Sequence, residues 1–166
     1  MRKYLLLVLV LTVVSAGMVA LKHWAAGAAH TDIINTVSIY NDNSKFVSGS
    51  NDRTVKVWSM TDFSLIFSET FANIITHISL HPADNRIFIL VLDGTIKVLD
   101  PITYLMLHTE SYPTGGGNGN FLRFFSSNSK YVISGFDLGV PKLHFYDSTT
   151  YASIAGGPFT TFTSAL

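Results

Sequence analysis

The middle of this chain can be slid along itself, without a gap, until Trp58 lands on Leu99. In that register Asp52 lands on Asp93, Thr54 on Thr95, Lys56 on Lys97 and Val57 on Val98. Earlier in the unit, Ile33, Ile34 and Ser38 land on Ile74, Ile75 and Ser79. A repeat of roughly forty residues is one supersecondary unit that cannot bury its apolar face alone. Neighbouring units must stack to make the core, so the repeat excludes most single-core folds at once.

The unit is built of strands. Phe46 to Ser59 reads FVSGSNDRTVKVWS, in which two runs of β-formers flank the turn segment Asn51-Asp52-Arg53. This is the pattern of a hairpin with one buried and one polar face. Four residues beyond the closing Ser59, Asp100 and Asp147 stands an aromatic, Phe63, Tyr104 and Tyr151, and each opens an apolar run that reads as the outermost strand. The spacing predicts four strands per unit: about 35–40, 45–50, 54–59 and 63–68; then 75–80, 86–91, 95–99 and 104–109. A third, looser unit covers about 120–125, 130–135, 142–147 and 151–155, with extra residues around Leu138 to Pro141. Pro141 is expected just before a strand, where its missing N–H is tolerated. Phe159 to Leu166 reads as one further strand. No stretch after residue 30 has helical periodicity.

With His30 opening HTDIINTVSIYND and Trp58 closing the third strand, the first unit resembles a repeat of the WD-repeat family. The resemblance implies an all-β fold, a partial β-propeller of three four-stranded antiparallel blades over residues 30–166. It also implies a scaffold that holds protein or peptide partners. In that family the His, a strand Ser or Thr, the turn Asp and the Trp form one hydrogen-bonded network, which here would be His30, Ser48, Asp52 and Trp58. The chemistry is coherent without the family: an indole N–H only donates, a carboxylate only accepts, and His and Ser can link them. The second unit replaces three of the four with Phe71, Ile89 and Leu99 and keeps Asp93, in an Asp93-Gly94 turn. Loss of the polar set as a whole is the expected way to lose it, since a half-satisfied network is worse than an apolar core. In the third unit Ser134, Asp137 and Tyr146 could take three of the places.

The N-terminus reads as an address. Met1-Arg2-Lys3 is basic, Tyr4 to Val14 is apolar, and Val14-Ser15-Ala16 carries the small residues of a cleavage site. That layout predicts a signal peptide over 1–16, cleaved after Ala16, or an anchor left uncleaved to about residue 21. Either sends the rest of the chain to the secretory lumen, the medium or the outer face of a membrane. Residues 17–29 read as a tether or a remnant strand.

Composition narrows the function classes. Eleven basic and eleven acidic side chains cancel, so no net field draws in nucleic acid or an anionic membrane. Contact with a membrane is expected only if the N-terminal segment stays uncleaved. Without cysteine there are no disulfides, thiolate metal sites or Cys nucleophiles. A Ser-His-Asp triad drawn from Ser48, His30 and Asp52 has no nucleophile-elbow motif to support it, and the same spacing has a structural explanation. His77 and His81, with Asp84 nearby, could face a metal from one strand, but His81-Pro82 occupies the position of a turn. Gly115 to Gly119 (GGGNG) lacks the helix start a phosphate loop requires and reads as a connection between units two and three. Arg53, Lys56 and Lys97 read as solvating charges on blade rims.

The sequence therefore predicts a binding scaffold with no cofactor, no metal and no catalytic residues, exported from the cytosol, whose open blade faces invite self-association. The alternatives are a fragment of a larger propeller protein, or a propeller-based hydrolase or lyase of the secretory space.

Overall fold

The structure, a computed structural model, describes residues 29–111, 121–125, 129–137 and 140–154. The signal segment, all of the tether but Ala29, the Gly115–Gly119 loop and the Phe159–Leu166 tail lie outside the described residues. The chain divides after Thr31, and the blades belong to the unit that begins with Asp32. Among the described residues every regular element is a strand, and no helix is long and apolar enough to cross a membrane.

Eleven strands form three antiparallel sheets, each a meander. Blade one is β1 (Ile34–Ile39), β2 (Lys45–Ser50), β3 (Thr54–Ser59) and β4 (Leu65–Thr70). Blade two is β5 (Ile75–Leu80), β6 (Ile87–Val91), β7 (Thr95–Leu99) and β8 (Met106–Ser111). Blade three is β9 (Phe121–Phe124), β10 (Lys130–Asp137) and β11 (Val140–Asp147). The innermost strands run side by side, β1 against β5 and β5 against β9, so the sheets stack face to face as a partial β-propeller.

The repeat extends to the irregularities. β1/β2 is bulged between Ile34 and Thr36, and β5/β6 between Ile75 and His77. β3/β4 is bulged between Val57 and Trp58, and β7/β8 between Val98 and Leu99. Each bulge of blade two falls on its counterpart in blade one when the repeat is superposed. Bulges re-aim side chains and add twist, so the two blades are built to one plan.

Two cores lie between the three sheets. Val47, Val55 and Val57 of blade one meet Ile75, Ile78, Ile87, Ile89 and Leu99 of blade two. Phe88, Leu90, Ile96 and Val98 of blade two meet Leu122, Tyr131, Ile133 and Tyr146 of blade three. β6 (IFILV) is wholly buried because alternate residues serve the two cores. Gly49 marks the closest approach of the first pair: a Cβ there would run into Ile75 and come within 3.0 Å of Ile78 and Thr36.

Three expectations change. The outer strands begin at Leu65 and Met106, two residues later than the apolar runs suggested. The reason is that Phe63, Tyr104 and Tyr151 have φ of 57°, 60° and 60°, and they end the preceding turn. In each, the aromatic N–H closes back on the carbonyl four residues earlier, Ser59, Asp100 or Asp147, at 3.1, 3.1 and 2.9 Å. The side chains of those same residues cap the turn; Asp147 Oδ1, for one, accepts the N–H of Thr149 and Thr150, both at 2.8 Å.

Blade three has three strands, and its fourth is represented by an isolated Tyr146–Ser153 bridge just before the described residues end at 154. Its extra residues lengthen the central hairpin, whose strands are eight residues each, and they carry Pro141 into β11. β11 is the edge of this three-stranded sheet, where proline is tolerated.

Candidate functional site

In blade one, Phe46 and Trp58 are cross-strand partners with stacked rings, centroids 6.0 Å apart. Two residues along β2, on the same face, Ser48 accepts the indole N–H of Trp58 at 2.8 Å, and its side chain is buried. Asp52 sits in the β2–β3 turn. Its Oδ1 accepts the backbone N–H of Thr54 at 2.8 Å and the Thr54 hydroxyl at 2.6 Å. Asp93 does the same for Thr95, at 2.9 and 2.6 Å, and Gly94 takes the left-handed residue of the turn at φ 84°. In blade one that position is Arg53, at φ 67°. His30 is half-buried and precedes the unit that begins with Asp32.

The replacements in blade two share one place. Phe71, Ile89 and Leu99 all belong to the core between blades one and two. In blade three Tyr146 stands opposite Tyr131 as Trp58 stands opposite Phe46, and the rings stack at 5.2 Å. Ser134 does not join it. Strand alternation puts Ser134, which pairs with Leu143, on the opposite face from Tyr146, and the place of Ser48 is taken by the fully buried Ile133. Ser134 Oγ has no hydrogen-bond partner among the described residues.

His77 lies within β5 and His81 just beyond its end. Four residues of strand span about 13 Å, too far for one ion to bridge without long side chains reaching back. His81 is buried against Phe88 and Phe124, with Nδ1 2.8 Å from Asp84. Among the described residues no group of three His, Asp or Glu could hold a metal.

His77 belongs instead to a cavity of 410 Å³ where the inner strands begin. Asn35 of β1, Thr76 and His77 of β5 and Phe121 of β9 line it, together with Asn51 and Leu92 from the β2–β3 and β6–β7 turns. All three blades contribute. The Asn35 amide donates to Asn51 Oδ1 at 2.7 Å and to the Ile75 carbonyl at 2.9 Å, which fixes the polar wall. Phe121 stands edge-on to the His77 ring at 5.4 Å and is 58% exposed, an apolar wall open to solvent. Burial, then the nearby Arg123 charge, push the His77 imidazole below its ordinary pKa, so it is neutral at pH 7. Its Nε2 is buried without a hydrogen-bond partner among the described residues. A neutral imidazole, two amides and a phenyl ring can hold a polar chain with an apolar side group. The sequence placed His77 within a strand, weighed it only as a metal ligand and set that aside, and passed over Asn35, Asn51 and Phe121, whose only signal was their place at strand starts and turns.

Stacked antiparallel meanders whose inner strands run side by side define a partial β-propeller. Residues 25–59, spanning β1 to β3, match the family model described as WD domain, G-beta repeat. No curated protein matches the chain. A WD repeat points to a scaffold for protein interaction.

Proposed function

We propose that this chain is a non-enzymatic interaction scaffold of the WD-repeat type, carried out of the cytosol by its N-terminal segment, which binds a protein or peptide segment at the inner-strand cavity. The observation that carries the reading is the convergence of all three blades on one open cavity, beside a sheet that matches a WD repeat. Ser48, Asp52 and Trp58 serve the blade and not a reaction. The blade faces offer a second kind of partner, another copy of the chain.

Selection of a displayed random-peptide library on the purified protein tests the cavity. Selected peptides are expected to bind wild type and to weaken by about tenfold or more with Phe121→Ala, in keeping with loss of an aromatic anchor. No enrichment, or binding indifferent to Phe121 and Asn51, overturns the site. N-terminal sequencing of protein recovered from the medium or secretory lumen tests export. Gly17 is the expected first residue, and Met1 intact on soluble cytosolic protein ends that part of the reading.

A further inference from the structure

Two asparagines of blade one stand where blade two, one repeat on, has other residues: Asn35 falls on Thr76 and Asn51 on Leu92. The backbone is the same at both places. Asn35 is the extra residue of the bulge between Ile34 and Thr36, as Thr76 is of the bulge between Ile75 and His77. The Asn51 N–H donates to the Ile33 carbonyl at 2.9 Å, and the Leu92 N–H donates to the Ile74 carbonyl at 2.9 Å. Blade two builds this bulge and this turn with a threonine and a leucine, so neither backbone feature requires an asparagine. Folding accounts for part of the pair, because Asn35 ties blade one to the Ile75 carbonyl of β5. It does not account for the amide of Asn51.

The orientation of both amides follows from what each partner can do. A main-chain carbonyl only accepts, so the Asn35 atom 2.9 Å from the Ile75 oxygen is the amide nitrogen. The same nitrogen lies 2.7 Å from Asn51, whose facing atom is therefore its oxygen. Both donors of Asn35 are then used. Asn35 Oδ1, an acceptor, and Asn51 Nδ2, a donor, are left on the cavity wall with no hydrogen-bond partner among the described residues. An acceptor beside a donor is the complement of an amide. Ile74, Leu92 and Phe121 add apolar surface to the same cavity. A side chain that reaches the pair must cross apolar surface and carry both a donor and an acceptor at its tip. Glutamine has that form, a carboxamide on a methylene stem. Glutamate only accepts, and would set an oxygen against Asn35 Oδ1. Lysine only donates, and the Arg123 charge that reaches His77 disfavours it.

We propose that the cavity reads a glutamine side chain of the bound segment, its carbonyl accepting from Asn51 Nδ2 and its amide nitrogen donating to Asn35 Oδ1, with the stem against the apolar wall. This rests on the reading of the cavity as a peptide site and names the side chain that enters it.

Displayed peptides with a fixed central Gln, Glu, Lys or Met and random flanks, selected on the full chain, test it. Gln-centred sequences are expected to dominate. The best of them, as a synthetic peptide, should bind about tenfold or more tighter than its own Glu, Lys and Met versions in fluorescence anisotropy, since each of these leaves a polar group of the pair unmet. Two variants locate the preference. Asn51→Leu carries the residue that blade two has in the same turn, and Asn51→Asp keeps the acceptor for Asn35 but lacks the donor. On either, the Gln peptide is expected to fall to the affinity of its Met version. The Met version should bind both variants as it binds wild type, which shows that they fold. Equal enrichment of the four centres, or a Gln preference that survives Asn51→Leu or Asn51→Asp, overturns the proposal. Equally enriched peptides that still weaken with Phe121→Ala leave the scaffold reading standing, whereas no enrichment from any of the four libraries overturns both.

Discussion

Blades one and two share one repeat plan, the same bulges and the same turn aspartate, yet the corresponding face of each is built of opposite chemistry. On blade one that face carries the Trp58–Ser48 hydrogen bond; a lysine, Lys56 or Lys97, is common to both blades. On blade two it carries Ile87, Ile89 and Leu99, all fully buried against the valines of blade one. A polar pair satisfies itself within one sheet. An aliphatic face is stable only when another sheet covers it. The polar set was therefore dispensable where a neighbouring blade was in place to replace it by packing.

Grafting one chemistry onto the other should break this comparison most. Ile89→Ser/Leu99→Trp transplants the blade-one pair into the filled core of blade two. It is expected to cost about 3 kcal/mol or more, because the indole overpacks the valines and the removed isoleucine leaves a gap. Chemical denaturation measures it, and a neutral outcome would mean the two blades are not packed as described. The reciprocal deletion is milder. Trp58→Phe keeps the ring stack on Phe46 but takes the indole donor from Ser48, for an expected loss of about 1–2 kcal/mol by the same measurement.

Each blade interface carries a cation over aromatic rings, Lys45 over Tyr40 and Tyr104 and Arg86 over Phe88 and Tyr151, and the two differ in strength. Arg86 makes hydrogen bonds to Tyr151, Ser148 and Asp84, whereas Lys45 reaches only the Tyr104 hydroxyl among the polar groups described for it. Arg86→Met should therefore lower the unfolding free energy more than Lys45→Met, by about 1.5 against about 0.5 kcal/mol. Equal effects would show that the ring contacts, and not the guanidinium fork, do the holding. The smallest effect is expected at the turn. Arg53 occupies a left-handed position that Gly94 fills in blade two, so Arg53→Gly should stabilise blade one by up to about 1 kcal/mol in the same denaturation series. Destabilisation would mean that the arginine side chain contributes more than its backbone strain removes.

Much of this architecture was legible because a sheet's side-chain period is two and the unit repeats. Both make a strand visible in single-sequence pattern. β2, β3, β5 and β7 fall where the spacing put them, and the departures collect at β4 and β8 and in the longer β10–β11 hairpin. The aromatic turn residues misled because composition cannot distinguish a Tyr that opens a strand from one that ends a turn. Backbone hydrogen bonds to Ser59, Asp100 and Asp147 make that difference. Ser134 misled for a related reason: one residue of register moves a side chain to the other face.

What the sequence determined by itself was the local plan: all-β repeats, their turns, the Trp58–Ser48 pairing in kind, and the apolar replacement in blade two. Each follows from spacing and from what a side chain can donate, accept or bury. What only the tertiary structure decided was which residues from different blades meet. The cavity joins residues as distant in the chain as Asn35 and Phe121, and the blade interfaces join Lys45 to Tyr104 and Arg86 to Tyr151. No periodicity encodes such meetings, because they depend on how one sheet is rotated onto the next, and that rotation is set by the packing of both faces together.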